Sequence, residues 1–116
     1  MLLLTSVNDK VQIVTGSALT IDVHASYMDY QAAPETTTPG RKNVAIVTAV
    51  TTDVVDPPSA GVARNVKALY IRNKDVSPCD ITVKHTDGVT VVELKKVTLP
   101  ANAELHYIDG IGFLML

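Results

Sequence analysis

The segment of residues 79–99 constrains the fold of this chain more than any other. Apolar and polar residues alternate up to Thr86, and a second run rich in β-branched residues follows the Asp87-Gly88 pair. Successive side chains of a strand point to opposite faces, so this alternation is typical of a half-buried β-strand. Asp-Gly suits a type I′ turn, which requires positive φ at both central residues. The segment therefore predicts an antiparallel hairpin of residues 79–86 and 89–99.

In the second arm of this hairpin, the apolar residues shift from one strand face to the other partway along the strand. In an ideal strand Val92 and Leu94 would lie on one face, and Val97 and Leu99 on the other. A bulge inserts one extra residue and would bring all four to one side. We therefore predict a bulge near Lys95-Lys96, with both lysines near solvent.

The rest of the chain also predicts short strands separated by turn residues. The clearest alternation runs from Leu19 to Tyr27, and no stretch carries a helical period for more than about one turn. Strands are predicted at residues 2–5, 10–15, 19–27, 44–50 (continued at 52–55), 64–72, 79–86, 89–99, 103–107 and 113–116. About nine short strands predict an all-β, single-domain antiparallel β-sandwich over residues 1–116, with a jelly roll or a small barrel as alternatives.

The longest predicted loop covers residues 31–42, and apolar residues follow it on both strand faces. Pro34, Pro39 and Gly40 disfavour regular structure in the loop. A loop of about a dozen residues is either an interaction element or a plain surface crossing. The two-sided apolar run from Val44 to Val50 predicts a strand that is central or covered by another subunit. An interface is accordingly predicted at Val44, Ile46, Val47, Pro34, Thr37 and Pro39.

Composition and charge disfavour several classes of function. The net charge is -2 and the pI about 5.8, so no basic patch is expected to bind nucleic acid. Cys79 is the only cysteine, which excludes an internal disulfide and favours a free thiol in a reducing compartment. No run approaches the roughly 20 apolar residues that span a bilayer. The apolar start, Leu2 to Leu4, is too short for a signal peptide.

The titratable residues do not form a recognisable catalytic or metal-binding motif. His24 and Asp22 would share one strand face, and so would His106 and Glu104, but a metal site normally needs three or four ligands. We expect the first pair to lie on a solvent-facing or subunit-facing side. His85 is predicted to be a partly exposed packing residue. No catalytic, cofactor-binding or metal-binding residue is predicted, and we expect the chain not to be an enzyme.

The sequence resembles small virion proteins of tailed bacteriophages. The resemblance covers TSVNDKVQIVTGSALTIDVHASYMDY, TTPGRKNVAIVTAVTTDVVDPP and the C-terminal half from Arg64 onward. It is a pattern of strands and turns: an N-V-K strand, an Asn-containing turn, a T-V-x-H-x-D-G hairpin, a T-L strand end and a final L-x-Y strand followed by glycines and Phe. These correspond to Asn65-Val66-Lys67, Asn73, Thr82 to Gly88, Glu93 to Leu99, and Leu105 to Phe113.

The resemblance implies a structural part of the virus particle. A capsid decoration (cement) protein, bound to the outside of the head beside the major capsid protein, is the first expectation. It implies a homo-oligomer, a trimer by analogy, with assembly in the host cytoplasm, no cofactor, and no nucleic acid or membrane as partner. The alternative is a tail, neck or fibre component, including a receptor- or glycan-binding β module. Such modules usually present aromatic platforms. This chain offers only Tyr27, Tyr30, Tyr70, Tyr107 and Phe113 for one.

Overall fold

Ten β-strands and no helix make up the computed structural model, which describes all of residues 1–116. None of its elements is a helix of the length and apolar character that a membrane crossing needs. The strands are β1 (Leu2–Leu4), β2 (Lys10–Thr15), β3 (Ile21–Ala32), β4 (Glu35–Ile46), β5 (Thr51–Val55), β6 (Val62–Asn73), β7 (Cys79–Thr86), β8 (Val91–Leu99), β9 (Glu104–Ile108) and β10 (Gly112–Met115).

The strands form two antiparallel sheets that pack face to face. The larger sheet has the order β10-β9-β6-β3-β4, and β1 pairs with the part of β6 that β9 does not reach. The smaller sheet has the order β5-β2-β7-β8. The predicted all-β antiparallel sandwich is confirmed, with ten strands instead of about nine.

The core lies between the inner faces of the two sheets. It follows from strict alternation, as in β2, where every second residue from Val11 to Thr15 is buried. Burial of aliphatic side chains supplies most of the driving force for folding, at about 25 cal/mol per Å² of apolar surface. The largest fully buried side chains are Leu4, Ile13, Ile21, Leu69, Ile71, Ile81, Leu99 and Leu105.

The predicted β7–β8 hairpin is confirmed, but its turn differs from the predicted one. Four residues, Asp87 to Thr90, connect the strands, so it is not a two-residue type I′ turn. The Asp87 carboxylate accepts hydrogen bonds from the N–H groups of Val89 (2.9 Å) and Thr90 (2.6 Å). These bonds to its own backbone stabilise a wider loop, in which Gly88 has a φ of 94°.

The predicted bulge in β8 is confirmed one residue before the two lysines. Val83 lies opposite Lys95, whereas Lys84 lies opposite Glu93, so Leu94 is the extra residue. Lys95 and Lys96 are exposed as predicted. Leu94 and Val97 pack against the core, but Val92 remains exposed, so the bulge does not bring all four apolar residues to one side.

The predicted loop over residues 31–42 is wrong, because most of it belongs to a long hairpin. β3 and β4 pair from Ile21 opposite Ile46 to Ala32 opposite Glu35, and Ala33 and Pro34 alone form the turn, with a cis peptide bond between them. β4 is an edge strand, and proline is tolerated there because no further strand needs its missing N–H. The three consecutive threonines also favour a strand.

The predicted strand from Val44 to Val50 is also wrong. β4 ends at Ile46, residues 47–50 form a bend, and β5 begins at Thr51 in the other sheet. Only Val44 to Ile46 therefore lie in a strand, where Val44 and Ile46 face inward and Ala45 is exposed on the outer face. The residues from Val47 to Val50 form an exposed connection between the sheets.

Candidate functional site

A depression of about 580 Å³ lies on the outer face of the larger sheet, the face that points away from the core. It is formed by four neighbouring strands, β4, β3, β6 and β9. Its lining side chains are mainly polar or aromatic, although two valines contribute to its floor. They are Asp22, Val23, His24, Asn43, Val44, Ala45, Tyr70, Arg72 and Glu104. It is the only depression of this size in the molecule.

Strand register places aromatic and amide side chains in one row across this face. His24 of β3 lies opposite Asn43 of β4 on one side and opposite Tyr70 of β6 on the other. Tyr70 in turn lies opposite His106 of β9, and His106 lies opposite Leu114 of β10. Directly opposed side chains on one face have Cβ atoms about 5 Å apart, so the members of the row touch.

The side chains of this row hold one another in place. The His24 ring stacks against the Tyr70 ring with centroids 6.1 Å apart, and the His106 ring meets Tyr70 edge-on at 4.8 Å. His24 Nδ1 shares a hydrogen bond of 2.5 Å with Asn43 Oδ1, and His106 Nε2 lies 3.1 Å from Glu104 Oε1. Tyr70 is nevertheless 42% exposed, so an aromatic surface remains open to solvent.

A second row on the same face, two residues away along each strand, carries charges of both signs. Arg72 lies opposite Asp22 and Glu104, and its Nη1 is 3.4 Å from Glu104 Oε2. Lys74 Nζ lies 3.0 Å from Asp22 Oδ2. These ion pairs are partly exposed, and such pairs contribute little to stability, about 0–1 kcal/mol each. Their donors and acceptors therefore remain accessible to a polar ligand.

The side chains of this depression combine an exposed aromatic ring with hydrogen-bonding groups. An exposed aromatic ring beside amide, carboxylate and guanidinium groups can stack against a ligand and exchange hydrogen bonds with it. His24 and Asp22 lie on this outer face, and His106 and Glu104 share it, as expected from the sequence. No three His, Cys, Asp or Glu side chains of the chain come close enough together to hold a metal ion.

The six residues predicted to form an interface do not lie on one surface. Ile46 faces the core and is only 3% exposed, and Val44 packs against the core from the same face of β4. Val47 is exposed in the bend after β4. The other three are exposed on β4 or on its turn, far along the hairpin: Pro34, Thr37 and Pro39.

The distal half of the β3–β4 hairpin, residues 27–40, is called the hairpin arm below. None of its residues is fully buried, but Tyr27 packs against the core and β6 pairs with β3 as far as Gln31, so only the tip around the turn extends beyond β6. Between Tyr30 and Pro39 its only charged side chain is Glu35. Three strands of the larger sheet, β3, β4 and β6, have 12 residues each, whereas those of the smaller sheet have 5 to 9. The molecule measures 48 × 27 × 21 Å. The arm is therefore an elongated, weakly charged surface.

The base of the arm is fixed by a stack of three side chains. Arg64 lies over the Tyr27 ring, with its Cζ 4.0 Å from the ring centroid. Its Nε and Nη2 donate to the two carboxylate oxygens of Asp29 at 2.8 and 3.0 Å. These hydrogen bonds from Arg64 to Asp29 raise the pKa of the guanidinium above its ordinary value. The Tyr27 ring also covers Gly40, which lies opposite it on β4.

Two further titratable side chains lie within the sandwich and away from the depression. Cys79 is 1% exposed and begins β7. His85 is partly buried near the β7–β8 turn, and its Nε2 has no hydrogen-bond partner. Neither belongs to a group of three or more side chains that could hold a metal ion.

The sequence offered little signal for the depression. Tyr70 sits in a strand with apolar residues on both faces, and only the pairing of β6 with β3 and β9 brings it between two histidines. The pairs Asp22–His24 and Glu104–His106 were visible as shared strand faces, but their assembly around Arg72 depends on long-range register. Comparison of the chain with protein-family models, with curated protein sequences and with solved structures finds no match.

Proposed function

We propose that this chain is a structural virion protein, a capsid decoration protein that binds the outer surface of the head and stabilises it. The observation that carries this proposal is the hairpin arm, an exposed and weakly charged end of the larger sheet whose tip reaches beyond the neighbouring strand β6. The resemblance of the sequence to small tailed-phage virion proteins supports the same assignment.

The arm has the chemistry expected of a surface that docks on another protein. Interfaces are depleted in charge at their centre and enriched in aromatic residues and methionine. On the outer face of the arm, Met28 lies opposite Pro39, and Tyr30 lies opposite Thr37. Tyr30 is 45% exposed, and only Glu35 near the tip is charged. The fixed base of Arg64, Asp29 and Tyr27 lowers the entropy that an arm would lose on docking.

Copy number in purified particles tests this proposal. Quantitative mass spectrometry of particles that carry this protein should give hundreds of copies, and labelling should place them on the head. Six or twelve copies would instead favour a tail or neck component. Absence from the particles would reject a virion role altogether.

Re-addition to particles that lack the protein tests the role of the arm. We expect the wild-type protein to bind such heads and to raise the temperature at which they release DNA. Tyr30→Lys together with Thr37→Lys places two charges on the outer face of the arm and should weaken this binding at least about tenfold, which is about 1.4 kcal/mol. Val92→Lys, at an exposed valine of β8 in the other sheet, is the matched control and should bind as wild type.

A second candidate function is glycan binding at the outer-face depression, as in a tail or fibre module. The observation that favours it is Tyr70, an exposed ring flanked by hydrogen-bonding groups. A glycan array should then show selective binding that Tyr70→Ala abolishes and Tyr30→Ala leaves intact. If wild type gives no signal above the Tyr70→Ala protein, this candidate fails.

A further inference from the structure

The open edge of β10 differs from the other long strand edges of the molecule, those of β4, β5 and β8. β10 pairs only with β9, and the segment from Ile111 to Leu116 contains no charged residue. Four of its apolar side chains are exposed: Ile111 at 67%, Leu114 at 40%, Met115 at 47% and Leu116 at 66%. An exposed apolar strand edge is a template for pairing with another strand.

The other long edges carry features that oppose such pairing. β4 has Pro39, which lacks an N–H, and the charged Arg41. β8 has Lys95 and Lys96, both exposed. The Asp53 carbonyl of β5 accepts a hydrogen bond of 3.2 Å from Lys42 Nζ. These are the devices by which natural sheets protect their edges, and β10 has none of them.

The backbone pattern of β10 defines which of its groups are unpaired. Glu104 and Leu116 exchange two hydrogen bonds of 2.9 and 2.8 Å. Antiparallel strands alternate such bonded pairs with non-bonded ones, so the Leu114–His106 pair is bonded as well, whereas Phe113 and Met115 direct their N–H and C=O groups away from β9. The open edge thus presents two donors and two acceptors, two residues apart.

We propose that β10 pairs antiparallel with β10 of a second copy of this chain. Two-fold symmetry centred on Leu114 places Phe113 of each copy opposite Met115 of the other, and each such pair can exchange two hydrogen bonds. Leu114 of one copy then lies opposite Leu114 of the other, at the close non-bonded spacing of about 4.5 Å between Cα atoms. Self-pairing is allowed because no charge on the strand meets its own copy.

The size of this contact fixes the affinity to expect. Four backbone hydrogen bonds and a few apolar side chains bury less than the roughly 1,600 Å² of a standard interface. We therefore expect a reversible dimer with a Kd on the order of 10 μM.

Sedimentation velocity of the full chain, from about 1 μM to about 500 μM, tests the proposal. Wild type should shift from monomer to dimer. Leu114→Lys places two like charges opposite each other and should weaken the dimer at least about thirtyfold, and so should Leu114→Glu. An equimolar mixture of the two variants should form a heterodimer, because opposite charges then meet at the centre. Leu114 is exposed in the monomer, and circular dichroism should show that both variants fold.

Two further variants make the test specific to the β10 edge. Met115→Pro removes an outward N–H without removing a bond to β9, and it should also weaken the dimer. Val92→Lys adds the same charge to the β8 edge and should not. A wild type that remains monomeric throughout, or an oligomer of any size that Leu114→Lys leaves unchanged, would overturn the proposal.

Discussion

Asn73 shows how much of this fold depends on single polar residues. Its side chain has no solvent exposure, and its Nδ2 donates to the carbonyl oxygens of Ser77 (2.8 Å), Leu99 (3.1 Å) and Pro100 (3.3 Å). Its Oδ1 accepts from the N–H of Asp75 at 3.0 Å. One residue therefore ties the end of β6 to the loop before β7 and to the end of β8.

We predict that Asn73→Ala lowers the free energy of unfolding by about 2–4 kcal/mol, because it leaves several backbone groups without partners. Chemical denaturation measures the change. Asn43→Ala removes an exposed asparagine that bonds only to His24, and it should cost less than about 0.5 kcal/mol. Equal losses for the two variants would contradict this account of Asn73.

Asp9 gives the fold a defined sensitivity to acid. Burial alone would raise its pKa, but hydrogen bonds from the Thr5 N–H (2.7 Å), the Ser6 hydroxyl (2.9 Å) and the Ser6 N–H outweigh this effect and lower the pKa below 3.8. Because its pKa is lowered in the folded protein, the carboxylate stabilises the folded state at pH values above its ordinary pKa. This contribution is lost as the pH falls through the lower value of the folded state.

We predict that Asp9→Asn destabilises the protein at pH 7, and that the difference from wild type narrows as the pH falls below the ordinary value of 3.8. Thermal unfolding of both proteins at several pH values between about 2 and about 7 measures it. Glu35→Gln, at an exposed site in the hairpin arm, is the control and should leave the stability at pH 7 close to that of wild type. A gap between Asp9→Asn and wild type that stays constant down to the lowest pH would refute the prediction.

At the scale of elements, the pairing of Tyr27 with Gly40 fixes the shape of the β3–β4 hairpin. The two residues lie directly opposite each other, and a Cβ atom on Gly40 would lie 2.6 Å from the Tyr27 Cζ. Aromatic side chains cover strand glycines in this way in other sheets. Any side chain at position 40 must displace the Tyr27 ring from its place under Arg64.

We predict that Gly40→Ala costs about 1–3 kcal/mol in the wild type, because the ring and its contacts with Arg64 must shift. In a Tyr27→Ala background the same change should cost little, since the obstructing ring is gone. A double-mutant cycle of unfolding free energies measures this coupling. Additive effects would show that the ring does not constrain residue 40.

The elements that could be predicted from the sequence are those whose signals are local. The β7–β8 hairpin follows from the alternation around Asp87-Gly88, and the bulge at Leu94 follows from the phase change, which it corrects in part. The arm could not be predicted because Pro39 and Gly40 resemble strand breakers until their partners are known. An open edge accommodates the proline, and a tyrosine 13 positions earlier covers the glycine.

The candidate site in the depression could also be predicted from the sequence only in part. Its rows combine one or two side chains from each of four strands, and the order of those strands is set by contacts distant in sequence. The local sequence is enough to predict that Asp22 and His24 share one strand face and that Glu104 and His106 share another. That Tyr70 lies between the two histidines follows only from the register of β6 with β3 and β9.

At the scale of the whole molecule, pairing of two copies through β10 would join their larger sheets into one. The row from Asn43 through Tyr70 to Leu114 would then continue into the second copy on the same outer face. Five strand spacings of about 4.8 Å separate the two Tyr70 positions, which is roughly 24 Å. The two hairpin arms lie on the far sides of this joined sheet, since β4 is the opposite edge from β10. Stability, the proposed self-association and the proposed docking would thus fall on separate parts of the molecule.

This separation predicts that the tip of the arm can be removed without unfolding the sandwich. Replacing residues 30–37 with Asn-Gly would join Asp29 to Thr38, which are opposite each other, through a two-residue type I′ turn. The change keeps Tyr27, Gly40 and the Asp29–Arg64 pair, and it removes no buried residue. We expect the melting temperature to change by less than about 4 °C, because the change removes only pairs at the end of the sheet, including those of Tyr30 and Gln31 with Ala63 and Val62 of β6.

The same shortened protein should no longer bind heads that lack the native protein, whereas its dimerisation through β10 should be unchanged. Calorimetry, sedimentation and particle binding measured on one preparation keep the three properties apart. A fall in melting temperature of more than about 10 °C would mean that the arm is part of the cooperative core. Full binding by the shortened protein would instead move the docking surface away from residues 30–37, to another face of the sandwich.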